Sequence, residues 1–325
     1  MWEGVRNVSR KMLFIYNPRA GKAMIKNYLP DIIDVFTKGG YEVTVHPTQA
    51  CMDATNVVLQ KANEYDLIVC SGGDGTMDEV VTGMLQLDKK IPIGYIPAGS
   101  TNDFARSLRI SNDMVKAAKE IVDGRFYPCD AGRFNDNYFI YVAAFGLFTD
   151  VSYETDQHIK NVLGHAAYLL EGAKRLSSVT SYEMKILCDG QVYEGEYIYG
   201  MVTNSRSVGG FSKLTGKTVD LNDGYFEVCL IKRPRNINEL NQIIIAILDD
   251  KVDSEYMQCF KAQQIEFRCQ VDVPWTLDGE NGGKHAIVNI KNEFQALDLI
   301  IPSVEAVAQA GYVKEELLEN PTKNV

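Results

Sequence analysis

The sequence predicts an α/β fold in two parts: a parallel sheet covered by helices on both faces, then an antiparallel β-sandwich. Short apolar strands alternate with helical periodicity through residues 1–130. Beyond Asp130 the pattern changes to strand-rich stretches separated by turns. The chain is also long, at 325 residues with 46% hydrophobic, which is more than one compact core usually absorbs.

In the first part, Met12–Tyr16 is a continuous apolar run of the kind buried in a parallel sheet. Ile25, Tyr28, Leu29, Ile32, Ile33 and Phe36 then recur at helical spacing, and Gly39-Gly40 stops the helix. Pro30 lies inside that pattern, so it either kinks the helix or marks a late start. Tyr41–His46 alternates as a strand, a helix capped by Asp53 follows, and Leu67–Cys70 is the next buried strand. Met77, Val80, Val81, Met84 and Leu85 share one helix face, and Ile91–Ile96 forms a further strand. This order makes residues 1–130 a Rossmann-like α/β domain, whose ligands belong at the carboxyl ends of its strands.

The second part, residues 131–301, shows strand patterns at Tyr138–Phe145, Tyr182–Cys188, Val192–Thr203, Tyr225–Ile231, Ile265–Phe267 and His285–Ile290. Helical stretches near 160–177 and 236–248 interrupt them. Within 302–325, Val304, Val307, Ala308 and Tyr312 fall on one face of a C-terminal helix expected to pack back on the first domain.

The net charge of -10 and pI near 5.0 argue against broad nucleic-acid binding, so any contact with phosphate or membrane must be a local patch. Seven scattered cysteines without a CxxC pair suggest neither a disulfide framework nor a zinc site, and they read as small core residues in a reducing compartment. His46, His158, His165 and His285 show no ligand spacing. Basic residues Arg6, Arg10 and Lys11 precede only a short apolar run, too short for a signal peptide. No stretch approaches the roughly 20 apolar residues of a membrane span. The expectation is a cytoplasmic protein that meets lipid only peripherally, at the bilayer surface.

Gly72-Gly73-Asp74-Gly75-Thr76 directly follows a buried strand. Successive glycines let the backbone approach a ligand and turn N–H groups toward a phosphate, and the following helix adds its positive end. A carboxylate in such a cradle needs an intervening metal ion or sugar hydroxyl, so Asp74 suggests magnesium-nucleotide chemistry; a ligand-free tight turn is the plain alternative. After another strand, Pro97-Ala98-Gly99-Ser100-Thr101-Asn102-Asp103-Phe104-Ala105-Arg106 supplies small residues, hydrogen-bonding side chains, a carboxylate and an arginine. A helix cap alone uses one such residue.

Together with Asn17-Pro18-x-x-Gly21-Lys22 after the first strand, these segments resemble the soluble bacterial diacylglycerol kinases and related lipid kinases over residues 11–302. Sphingosine and ceramide kinases are similar, and NAD kinases and phosphofructokinases more remotely. The resemblance implies a nucleotide cleft between an α/β domain and a β-sandwich. In it, Asn17, Pro18, Arg19, Ala20, Gly21 and Lys22 would contact ATP, as would Gly73, Asp74, Gly75, Thr76, Met77, Asp78 and Glu79, with Thr48 and Ser100 beside them. Most relatives carry Thr at Ser100 and Asn at Asp78, and the family often carries Ser-Gly before the lysine, whereas here Arg19-Ala20 precede Gly21. Arg106 becomes a contact for substrate or phosphate.

Asp220-Leu221-Asn222-Asp223-Gly224-Tyr225 clusters oxygen ligands suited to a hard cation, although Asn-Asp-Gly also reads as a plain hairpin turn. The resemblance implies a structural Mg2+ site using Asp220, Asp223 and the main chain of Tyr225. Leu277-Asp278-Gly279-Glu280 by itself reads as a surface turn; the resemblance makes Glu280 the proton acceptor, with Asp74 and Asp103 organising metal, water or sugar contacts. Asp130 closes a strand where the domains meet, and either organises the site or caps a turn. Lys160, Lys174 and Arg175 either touch anionic headgroups or belong to a solvated helix face.

The expected reaction is ATP- and Mg2+-dependent phosphorylation of diacylglycerol to phosphatidic acid in phospholipid metabolism. Competing expectations are another acceptor (a sphingoid base, an undecaprenol-like lipid or NAD) and a nucleotide- or lipid-binding protein without catalysis. Edge strands of the second domain could pair two copies as a homodimer.

Overall fold

The computed structural model describes residues 10–100, 102–147, 180–205, 219–249 and 255–303. The chain divides into two compact units, one within Met1–Pro128 and Leu297–Val325 and the other within Cys129–Ala296. The helical patterns near 160–177 and at the C-terminus lie outside the described residues, as do His158, Lys160, His165, Lys174 and Arg175.

In the first unit, β1 (Arg10–Tyr16), β2 (Tyr41–Pro47), β3 (Leu67–Gly72) and β4 (Ile93–Pro97) pair in parallel in the order β2-β1-β3-β4. Leu299 and Ile300, near the end of β13 (Glu280–Ile301), extend the sheet past β4 in parallel register with Ile93 and Gly94. Met12, Leu13, Phe14 and Ile15 are fully buried, as are Ile68, Val69 and Cys70, which is the burial on both faces that continuous apolar strands require. The helices are α1 (Ile25–Lys38), α2 (Asp53–Lys61), α3 (Asp74–Leu85), α4 (Asp103–Ser107) and α5 (Met114–Val122).

Two local expectations change. Pro30 neither starts nor ends α1 but lies inside it at an exposed position, where water can serve the carbonyl freed by the missing N–H. Asp53 is the first residue of α2 rather than its cap; its Oδ2 accepts from Gln49 N at 2.8 Å and lies 3.2 Å from His46 Nε2. The N–H groups at that helix end are met from α3, since Glu79 accepts from Met52 N at 2.9 Å and Ala54 N at 3.1 Å.

The second unit contains β5 (Arg125–Phe134) from Cys129 onward, β6 (Asn137–Phe139), β7 (Val142–Gly146), β8 (Tyr182–Cys188), β9 (Gln191–Thr203), β10 (Phe226–Lys232), the helix α6 (Ile237–Asp249), β11 (Met257–Ala262), β12 (Gln264–Leu277) and β13 to Ala296. Antiparallel neighbours run β11-β10-β9-β7-β12-β13, and β8 pairs with both β9 and β12. Aromatic side chains fill the core: the Trp275 ring lies 4.8 Å from Phe145, 5.1 Å from Phe267 and 5.2 Å from Phe134.

Sequence pattern understated this unit. Ile265–Phe267 and His285–Ile290 are pieces of the longer β12 and β13, β11 carries no clear signal, and Asp130 lies inside β5 rather than closing it. Tyr138–Phe145 is two strands rather than one. The break falls at Ile140-Tyr141, whose N–H groups leave the ladder to bind the Asp278 carboxylate. Among the cysteines, Cys70, Cys129, Cys188 and Cys229 are buried, but Cys51 is exposed rather than part of a core.

Candidate active site

Three loops meet at the carboxyl edge of the parallel sheet in the first unit, and they meet main chain against main chain. Gly21 has φ +52°, and a Cβ there would lie 2.4 Å from the Ala98 carbonyl oxygen; a Cβ on Gly99 would lie 2.7 Å from Gly73 Cα. Side chains other than hydrogen do not fit. Asn17 ties the first loop to the second, donating from N to Ser71 O at 2.8 Å and from Nδ2 to Thr76 Oγ1 at 3.3 Å, while its Oδ1 accepts from Arg19 N at 2.9 Å. The Gly72 carbonyl accepts from Ala98 N at 2.7 Å and from the buried Tyr95 hydroxyl at 3.2 Å. Asn102, left-handed at φ 53°, closes the third loop by exchanging hydrogen bonds with the Gly99 main chain at 2.9 and 3.0 Å.

Asp74 is the first residue of α3, so the main-chain N–H groups of Gly75 and Thr76 belong to the positive end of that helix. Its Oδ2 accepts from Asp103 N at 3.3 Å, whereas its buried Oδ1 has no hydrogen-bond partner. Burial raises the Asp74 carboxyl pKa, the neighbouring Asp103 raises it further, and main-chain N–H groups of Asn102, Asp103 and Phe104 oppose the rise. Asp103 is itself buried, with Arg106 Nη1 3.4 Å from its Oδ1. A buried, unmatched carboxylate oxygen beside a second carboxylate suits a divalent cation, so these residues fit magnesium.

The remaining positions expected to contact nucleotide differ in character. Ala20 and Met77 are buried; Arg19, Gly21, Lys22 and Ser100 are exposed; Pro18, Asp78 and Glu79 are half-buried. Thr48 follows β2 at the same sheet edge and donates its N–H to Tyr16 O at 2.9 Å. The Glu79 carboxylate is engaged at the start of α2, as described above.

In the second unit Asp278 and Gly279 form a two-residue turn between β12 and β13, with φ 51° and 87° and Leu277 paired to Glu280. The Asp278 carboxylate accepts from Ile140 N at 2.6 Å, Tyr141 N at 3.0 Å and Val142 N at 2.8 Å. Its own N–H donates to Val142 O at 2.8 Å, and its carbonyl accepts from the Tyr141 hydroxyl at 2.9 Å. Asp278 thus fixes the turn, and Glu280, exposed at the head of β13, is presented by it. Sequence reasoning missed this anchor, although a carboxylate in Asp-Gly between two apolar strands was its one visible sign.

Asp130 plays a similar part. It is fully buried; Oδ2 accepts from Gly224 N at 2.7 Å and Asn292 Nδ2 at 3.3 Å, and Oδ1 from Gln295 N at 2.7 Å. Burial raises its pKa against those hydrogen bonds. Its N–H donates to Leu221 O at 2.8 Å, so the acidic turn at 220–225 is bound to β13 through Asp130. In that turn Asp223 Oδ1 accepts from Tyr225 N at 3.0 Å and Oδ2 from Lys261 Nζ at 2.6 Å. Among the described residues, no group of three or more His, Cys, Asp or Glu is placed to hold a metal ion. Any cation at this turn therefore relies on main-chain or water oxygens beside Asp220 and Asp223.

Known proteins share this fold. Residues 11–134 match the diacylglycerol kinase catalytic domain, and residues 142–301 match the YegS C-terminal NAD kinase beta sandwich-like domain. A crystal structure of a Bacillus anthracis str. Sterne protein superposes with a TM-score of 0.78 at 26% identity, covering 94% of this chain and 100% of that one. Fold, loops and matched domains define a lipid kinase. The diacylglycerol kinase of Bacillus subtilis (strain 168) is 36% identical over 276 residues, spanning 84% of this chain and 91% of its own. That of Staphylococcus carnosus (strain TM300) is 34% identical over 295 residues, spanning 90% and 95%. The chain belongs to the diacylglycerol kinase family. No helix among the described residues is long and apolar enough to cross a membrane.

Proposed function

We propose that this protein transfers the γ-phosphoryl group of ATP to the free hydroxyl of diacylglycerol, giving phosphatidic acid and ADP at the cytoplasmic surface of a membrane. The observation that carries the reading is the main-chain convergence of Gly21, Gly73 and Gly99 beside Asp74, whose buried Oδ1 lacks a partner. The first and second loops, from Asn17 to Lys22 and from Gly73 to Glu79, hold the nucleotide phosphates, with Thr48 and Ser100 at the margin and Arg106 near a phosphate or substrate oxygen. Asp74 and Asp103 would hold a magnesium ion, which would supply charge neutralisation at the phosphates; Asp220, Asp223 and the main chain of Tyr225 would hold a second, structural one. The acceptor oxygen attacks the γ-phosphorus, the bond to the β,γ-bridging oxygen breaks, and Glu280 takes the hydroxyl proton. General-base assistance of this kind is worth on the order of 100- to 10,000-fold.

The test is incubation with labelled ATP, magnesium and diacylglycerol in mixed micelles, followed by separation of lipids. Labelled phosphatidic acid supports the reading, and its absence sinks it. A parallel total-lipid extract and an NAD arm identify any other acceptor, since the shape of the acceptor site rather than its residue types sets that choice.

A further inference from the structure

We infer that Cys229 and Cys259 are a peroxide-sensitive thiol pair, a modification site that closes into a disulfide between β10 and β11. The two residues stand directly opposite each other in the antiparallel pairing, whose register runs from Phe226 and Ala262 to Ile231 and Met257. Lys232 N donates to Tyr256 O at 2.9 Å, so that pair, next in the same register, is a hydrogen-bonded one. Hydrogen-bonded and non-hydrogen-bonded pairs alternate along an antiparallel ladder, which makes Cys229 and Cys259, three residues back along β10, a non-hydrogen-bonded pair. Such a pair holds its Cα atoms about 4.5 Å apart with both side chains on one face of the sheet, and a disulfide spans about 4.4–6.8 Å between Cα atoms. The sulfurs already meet, since the thiols of Cys229 and Cys259 share a hydrogen bond. No other two cysteines face each other in the described strands: Cys188 is opposite Ile265 and Cys269 opposite Met184.

The pair is asymmetric. Cys229 is fully buried, and the hydrogen bond from Cys259, together with burial, pushes its thiol pKa well up. Cys259 is half-buried, so an oxidant from solvent reaches it first. Hydrogen peroxide oxidises the Cys259 sulfur to a sulfenic acid: one peroxide oxygen passes to sulfur and the other leaves as water. The Cys229 sulfur then attacks the Cys259 sulfur. The S–S bond forms as the S–O bond breaks, and the departing hydroxide takes the Cys229 proton and leaves as a second water. Two thiols and one peroxide thus give one disulfide and two waters. Among the described strands β11 pairs with β10 alone, so this bond fastens an edge strand and closes a loop through α6.

The test uses the full chain at low concentration, carrying Cys51→Ser to remove the exposed thiol. After treatment with hydrogen peroxide, free thiols are counted in denaturant and the unreduced tryptic peptides are mapped. Two thiols should be lost, peptide 218–232 should be joined to peptide 252–261, and dithiothreitol should restore both. The oxidised protein should also melt above the reduced one, because the bond restricts the unfolded chain. Cys229→Ser should stop at a sulfenic acid on Cys259, captured by dimedone, and Cys259→Ser should give neither product. The joined peptides in the protein that keeps both cysteines decide the matter even if a serine variant folds poorly. Three results overturn the inference: Cys259 driven to sulfinic acid while Cys229 stays free, a disulfide joining other cysteines, or no loss of thiol at peroxide concentrations that oxidise free glutathione.

Discussion

The two units build their functional elements in opposite ways. At the sheet edge of the first unit, side chains are removed: Gly21 and Gly99 bring their backbones against those of Ala98 and Gly73. In the second unit carboxylates are buried: Asp278 and Asp130 each draw several donors onto one side chain and so fix the turns that carry Glu280 and Asp223. The first device depends on steric room, and at Gly21 and Gly99 it is intolerant of any added atom. The second depends on charge matched to donors, and is intolerant of losing the acceptor.

Four measurements break or sharpen that contrast. The largest effect is expected at Glu280→Ala, with kinase activity falling on the order of 100- to 10,000-fold. Its melting temperature should stay unchanged, because Glu280 is exposed and its turn is held by Asp278; a lowered melting point would mean that Glu280 is structural. Asp278→Ala should act the other way, destabilising the protein by about 3 kcal/mol through orphaned buried N–H groups, which denaturant unfolding measures. A stability within experimental error of the parent's would show that water replaces the carboxylate there.

Smaller effects belong to the first unit. Gly99→Ala places a methyl group against the Gly73 main chain, so nucleotide affinity should fall while stability drops by about 1–3 kcal/mol. Unchanged ATP binding by fluorescence titration would separate the contact from the binding function. In stability, Asp74→Asn should give the mildest change, and its size is set by pH. The folded protein raises the Asp74 pKa, so it holds a proton that the unfolded chain has released, and the parent loses stability as pH rises through that interval. The Asn variant should therefore melt increasingly above the parent as pH rises from the acidic range, then keep a constant lead once Asp74 is ionised in both states. A lead that is the same at all pH values would rule out titration of this carboxylate as its source.

Much of the first unit was legible in the sequence, because buried parallel strands are written as apolar runs and glycine loops as repeated small residues. Met12–Tyr16, Leu67–Cys70 and the loops after them could be placed in that way. The second unit was harder to read for a physical reason. Asp278 breaks Tyr138–Phe145 into two strands from more than a hundred residues away, and no local pattern records a long-range acceptor. The same holds for Asp130, which alone looks like the end of a strand, and for Cys259, whose alignment with Cys229 is decided by strand register. Asp53 misled because an acidic residue at a helix start normally caps it, while here Glu79 takes that work from a different helix.

Glu79 carries one more implication. By binding Met52 N and Ala54 N with its two oxygens, it fastens the start of α2 to the first turns of α3, and Thr55 Oγ1 adds a hydrogen bond to the Glu79 carbonyl at 2.8 Å. The segment after β2, which carries Thr48, and the glycine loop after β3 are thereby joined into a single stiff body. If these segments hold nucleotide as proposed, the conformational entropy of arranging both is lost during folding and not again on binding. Under the proposed function, weakening this fastening should therefore appear as slower, looser capture of nucleotide.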